Sequence, residues 1–336
     1  MLPDAEALDP SADPWPAVFA LLDFVQQATP TTPADWVELV RLLDAVALAR
    51  HACPTESWCY DDEQHGPLPE RSHSEWWQLV APRFPDFGYY WATLDPFDPA
   101  RDENAALGDA IDDLADIAHD LQHVALARDR LGDREGRLGL GFLFDIHVGS
   151  HLRSLQRYLH LRTAGAAWDL DVGGRGTARA ADPRPAIDAF LGFVLAAEPL
   201  TRAQWAQFAR VLDELVMARH AVAGIATAGR AATSAPPVDP ARSEVLRRRL
   251  ATCDRYLQTA PLHPMDEPEG TVEPVLELRD AIADLEQMTT TLVAVTASSP
   301  SGDAHAVAAA FAAAFDPLRH GRMRDLQRYV YAVMHG

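Results

Sequence analysis

Asp112, Asp116, His119 and His123 fall in one narrow sector of a helix, since each residue advances the chain by about 100°. His119 and His123 are four residues apart, a spacing that lets two imidazoles share a metal ion. His147 and His151 repeat it further along the chain. Two helices lying side by side with these six residues would assemble an Asp/His site of the kind built inside helical bundles, suited to zinc, manganese or iron.

A structural reading competes with that one. Ile111, Leu114, Ile117, Leu121 and Val124 make an apolar stripe on roughly the opposite face, so the Asp/His face reads as solvated. His151 stands beside Phe144, Val148, Leu152 and Leu155, where a hydrogen-bonded, partly buried histidine also fits. The HxxxH spacing lacks the glutamate of the zincin pattern. His51, Cys53, Cys59 and His65 could supply four zinc ligands, but the cysteines are not in a CxxC knuckle, which favours free thiols. Gly173-Gly174-Arg175-Gly176 lacks the strand–turn–helix setting that phosphate binding needs.

The elements that would position these residues come from an internal repeat. Thr32 to Ala52 (TPADWVELVRLLDAVALARHA) recurs as Thr201 to Ala221 (TRAQWAQFARVLDELVMARHA), at an offset of 169 and with Trp36/Trp205, Arg41/Arg210 and Asp44/Asp213 retained. Asp109 to Leu114 answers Asp280 to Leu285, and Leu155-Gln156-Arg157-Tyr158 answers Leu326-Gln327-Arg328-Tyr329, both at an offset of 171. Blocks repeated in one order imply duplication, and the drift in offset fits surface insertions. Helical periodicity dominates. The expected fold is all-α: two tandem helical-bundle-like units related by internal duplication, at 1–162 and 184–336, joined by a Gly-rich linker at 163–183. Thr32 with Asp35, Ser72 with Glu75 and Thr201 with Gln204 read as helix-capping pairs. Helices are expected near 15–28, 33–52, 104–130, 138–162, 184–198, 202–227, 241–260, 272–297 and 303–334, the last broken at Asp316-Pro317. Trp36, Trp76, Trp77, Trp91 and Trp205 are expected mainly in the core or at the seam between the units.

Arg41, Asp44 and His51 recur in the second unit as Arg210, Asp213 and His220. Asp44 and His51 project toward an apolar face, and Arg41 is placed for an intrahelical pair with Asp44. Polar groups on such a face must be satisfied, so these six residues read as a structural polar network that fixes helix packing. Asp44 and His51 lie about 10 Å apart along the axis, too far for a dyad.

The net charge of −20 argues against nucleic acid and against anionic membranes as partners. Three cysteines, with no signal peptide and no long apolar segment, point to a soluble cytoplasmic protein. All 29 basic residues are arginine, which a GC-rich genome explains more simply than selection against a reactive amine.

Three segments carry a family likeness: Tyr90 to Pro99 (YWATLDPFDP), Asp112 to Ile117 (DDLADI) with Asp120 and Leu121, and Phe142 to His151 (FLFDIHVGSH). In order and spacing they resemble the bacterial domain-of-unknown-function family 5063 over about residues 35–162. Val148 stands where that family usually has tryptophan, and Leu318 and Arg319 stand opposite His147 and Val148 in the second unit. The resemblance implies an all-helical fold and no established activity.

From sequence alone the preferred function is a non-catalytic interaction protein, its acidic surface offered to a basic protein partner in an inhibitor, immunity or scaffold role, with no cofactor. The alternative is a metal-dependent enzyme in which Asp112, Asp116, His119, His123, His147 and His151 supply the divalent-metal site. A groove for a small apolar ligand at the seam is a third reading.

Overall fold

A computed structural model describes residues 13–68, 71–85, 87–93, 105–163, 182–196, 198–222, 240–250, 278–298, 304–315 and 322–335. Among them the fold is all-α apart from one two-stranded antiparallel sheet. The Asp-Pro segment at 94–99, Gly173 to Gly176, Cys253 and Leu318-Arg319 lie outside the described residues.

The first half runs α1 (Trp15–Gln27), α2 (Pro33–Arg50), α3 (Asp62–His65), α4 (His73–Val80), β1 (Tyr89–Thr93), β2 (Ala105–Asp109), α5 (Ala110–Leu131) and α6 (Asp133–Leu143). A single π-helical turn, Phe144–Val148, then leads into α7 (Gly149–Thr163). The second half holds α8 (Arg184–Val194), α9 (Arg202–Ala221), α10 (Pro240–Arg249), α11 (Leu278–Ser298), α12 (Ala304–Phe315) and α13 (Arg322–His335). The expected capping boxes form at Thr32/Asp35, Ser72/Glu75 and Thr201/Gln204, and each satisfies backbone N–H groups that the helix start would otherwise leave bare.

Where a helix was expected to begin near 104, residues 105–109 are a strand, paired so that Tyr90 faces Gly108 and Tyr89 faces Asp109. Gly108 lies under the Tyr90 ring, where any side chain would collide with the aromatic carbons. Asp109 then caps α5 by accepting from the Ile111 N–H. Helix α5 ends at Gly132, whose φ of 99° only glycine adopts without strain and which turns the chain back into α6.

Each half has its own apolar core, one built from α1, α2, α4, α5 and α7 and the other from α8, α9 and α11–α13. Trp76 and Trp205 are fully buried, Trp36 is half-buried, and Trp77 is exposed, contrary to the expectation for it; the Trp91 side chain lies outside the described residues. Among the described residues no helix is long and apolar enough to cross a membrane.

The halves meet where α2 packs on α9 and α7 on α13, through a reciprocal polar lock. Asp44 on α2 accepts from His220 Nε2 (2.7 Å), Arg324 Nη2 (2.7 Å) and Gln156 Nε2 (2.7 Å). Asp213 on α9 accepts from His51 Nε2 (2.9 Å), Arg153 Nη2 (2.8 Å) and Gln327 Nε2 (2.7 Å). Each carboxylate thus takes its histidine and its arginine from the other half. Asp44/Asp213 and His51/His220 are related by the repeat offset of 169, and Arg153/Arg324 and Gln156/Gln327 by that of 171. Arg41 and Arg210 stay outside the lock. Arg41 binds Glu38 (2.5 Å), not Asp44, and Arg210 binds Glu214 (2.7 Å), because both side chains leave their helices on the more exposed side.

Candidate metal centre

The first turns of α5, the start of α4 and the π-helical turn converge on one cluster. Gln122 on α5 accepts from the Trp76 indole (3.0 Å) and from the Arg71 N–H (2.8 Å), which pins the start of α4 against α5 and turns His73 toward Asp112 and Asp116. The π-helical turn is held on two sides. Arg50 at the end of α2 grips Asp145 through Nε (2.9 Å) and Nη2 (2.6 Å), and the Tyr331 hydroxyl of α13 donates to the Phe144 and Asp145 carbonyls (3.1 Å each). A π turn leaves carbonyls out of the regular helical ladder, and such turns recur at functional sites. This one carries His147.

His147 Nδ1 lies 2.8 Å from Asp120 Oδ2, and His151 Nδ1 lies 2.7 Å from Asp113 Oδ1. The second oxygen of Asp113 accepts from the Tyr90 hydroxyl. A carboxylate can only accept, so each Nδ1 carries a proton and, in the neutral ring, Nε2 presents a lone pair. The two Nε2 atoms are 3.2 Å apart, and Asp116 Oδ2 is 3.7 Å from that of His151. Two lone pairs at this distance repel unless a proton or a cation lies between them. Ligands about 2.0–2.1 Å from a tetrahedral ion stand about 3.3 Å from one another, so the spacing suits a shared metal.

Protons are held there for the same reason. The Asp120 hydrogen bond raises the His147 pKa, and nearby Asp116 and Asp113 add to it. Burial works against the charged form of His151, yet its bond to Asp113 and the charge of Asp116 outweigh burial and leave its pKa raised. Burial pushes Asp113 up. Burial opposes ionisation of Asp120 too, but hydrogen bonds from His119 and His147 bring its pKa below the ordinary value.

Of the six residues expected from the sequence, Asp112, Asp116, His147 and His151 come together, with Asp116 central. His119 and His123 do not join them. His119 Nδ1 lies 3.5 Å from Asp120 Oδ1 beside the cluster, and His123 packs edge-on against Trp58 and Tyr60. The reason is axial: seven residues from Asp116, His123 is about 10 Å along the helix, although it shares the same sector. Sequence reasoning passed over His73, Asp113 and Asp120. The i, i+3, i+7 spacing of Asp113, Asp116 and Asp120 was a usable signal for the face turned toward α7; no spacing rule links His73 to α5.

No protein-family model, curated protein or solved structure matches the chain. Chemistry must therefore be read from the cluster itself. Among the described residues the groups able to hold an ion are Asp116, His147 and His151, and His73, Asp112 and Asp116. The Cys53, Cys59, His51 and His65 set is not among them. Cys53 is buried, and burial pushes its thiol up to about 11, while Cys59 is exposed and His51 is engaged with Asp213. In the second half the repeat puts Gln287 opposite Asp116, Leu318 opposite His147 and Arg322 opposite His151, so that half lacks the ligand set.

Proposed function

We propose that the chain is a metal-dependent enzyme of hydrolytic type, with one divalent first-row transition-metal ion held by Asp116, His147 and His151. The observation that carries this reading is the pair of Nε2 atoms 3.2 Å apart, each on a ring whose other nitrogen is anchored by a carboxylate. Carboxylate–histidine pairs of this type orient metal-binding rings and raise their basicity. Three protein ligands leave coordination positions open. The side chains of His147 and Asp116 are 43% and 20% exposed, so water and substrate can reach them. Such an ion supplies Lewis-acid polarisation of a water or substrate oxygen.

An acidic surface that meets a basic protein partner is compatible with this reading, but it rests on net charge alone, which serves solubility equally well. The likeness to domain-of-unknown-function family 5063 runs through the same residues, Asp112 to Ile117 and Phe142 to His151.

Elemental analysis of the natively purified, untagged chain tests the proposal. Bound zinc, manganese, iron or cobalt that disappears in a folded His147→Ala, His151→Ala variant is the expected result. A chain that neither retains nor takes up any of these ions, and whose melting temperature ignores them, would sink it.

A further inference from the structure

Asp116 faces two ways. Its Oδ2 looks toward His151, while its Oδ1 lies 3.4 Å from His73 Nε2, which is itself 3.1 Å from Asp112 Oδ1. His73, Asp112 and Asp116 therefore form a second set of three potential ligand atoms, on the opposite side of the same carboxylate from His147 and His151.

We infer that the centre holds two divalent cations, with Asp116 bridging them: one on His147 and His151, the other on His73 and Asp112. This rests on the proposed metal-binding function and deepens it.

Two further observations carry the second position. The Nε2 atom of His73 is itself shielded from solvent, although the side chain is 40% exposed, and it makes no well-aligned hydrogen bond to the two carboxylate oxygens close by. A buried polar atom normally has a hydrogen-bond partner, and a nitrogen within ion-pair range of two carboxylate oxygens but aligned with neither has the disposition of a ligand. The other observation is charge. Asp112, Asp113, Asp116 and Asp120 bring four carboxylates into one partly buried cluster. A single dication offsets only half of the charge that four ionised carboxylates carry. Paired ions in two-metal sites stand about 3.5–4 Å apart, a separation that places both within reach of one shared ligand.

The test is stoichiometry with cobalt(II), whose magnetic signal also reports whether two ions are coupled. Metal-free full-length chain is titrated with cobalt(II), and bound metal and electron paramagnetic resonance are read together for the wild type, His73→Ala, His73→Gln and His147→Ala. Two equivalents with a coupled signal, falling to one uncoupled equivalent in both His73 variants, are expected. One equivalent in the wild type, unchanged by either His73 substitution and abolished by His147→Ala, overturns the second cation and leaves the first. No binding at all overturns both. Far-ultraviolet circular dichroism on each variant, with His73→Gln as the milder change at the start of α4, separates loss of a ligand from loss of fold.

Discussion

His220 donates to Asp44 across the seam at 2.7 Å, and the same pair is repeated in reverse by His51 and Asp213 at 2.9 Å. Asp44 and Asp213 are almost completely buried, so each depends on partners from the far half for compensation of its charge. Arg324 and His220 outweigh the burial that opposes Asp44 ionisation and hold its carboxyl far below the carboxylate range. Arg153 and His51 likewise outweigh burial and lower the Asp213 pKa.

Removing one charge from this lock leaves another buried without its partner. Asp44→Ala is expected to cost about 3–5 kcal/mol, the usual loss when a buried ion pair is broken from one side. Arg324→Met and Arg153→Met are expected to cost amounts similar to each other, because the two sides are alike in partners and burial. Urea denaturation of the variants measures this. Arg41→Ala, whose side chain is partly exposed and bound to Glu38, is expected to cost no more than about 1 kcal/mol.

Stability should fall with acid in two stages, and the sign differs between the lock and the Asp/His cluster. Burial lowers the His220 pKa in the folded state, so its contribution is present above the ordinary 6.5 and is lost as pH falls through the folded value. Asp44 and Asp213 add a second loss below their ordinary 3.8. In the metal-free chain, His147 and His151 act oppositely: their raised values stabilise below 6.5, and that contribution is lost as pH rises through them. Urea midpoints measured from pH 8 to pH 5 should therefore drop less steeply in His220→Gln than in the wild type. They should drop more steeply in His147→Ala, His151→Ala.

Metal affinity should depend on residues that never touch the ion. Asp120→Asn and Asp113→Asn replace the acceptors that fix the two imidazoles, and each is expected to weaken binding about 10–100-fold while the ligands stay in place. His123→Ala, remote from the cluster among Trp58 and Tyr60, is expected to leave affinity unchanged. Competition against a chromophoric chelator reads both.

Tyr331 ties the second half to the first half's π turn, and its loss should be felt at His147. Tyr331→Phe is expected to cost about 0.5–1.5 kcal/mol of stability and to lower metal affinity, although Tyr331 lies outside the cluster. Gly149→Ala presses a methyl group against the same ring and should destabilise by about 1–3 kcal/mol. Thermal unfolding with and without cobalt(II) separates the two effects.

Local signals in the sequence identified the helices well. The capping pairs at Thr32, Ser72 and Thr201 lie where the chain turns into α2, α4 and α9. Angular position on α5 located Asp112 and Asp116, but it also swept in His119, which lies against Asp120 instead, and His123, because an angle ignores distance along the axis. The strands were illegible: five residues rich in alanine and glycine become a strand only because Tyr89 to Thr93 pairs with them. His73 was hidden for a similar reason, since tertiary contacts such as the bonds from Trp76 and Arg71 to Gln122 bring α4 onto α5. In the lock, the recurrence of Asp44 and His51 as Asp213 and His220 was visible, whereas the crossing of their partners between halves was not.

That crossing makes Asp44 and Asp213 terms in an association equilibrium, not private assets of either half. The peptide connection between residues 163 and 182 then works by effective concentration, since it converts a bimolecular encounter into an intramolecular one. Two polypeptides cut within that stretch would each offer a buried carboxylate to the arginine and histidine of the other, and their cohesion would become a matter of dilution.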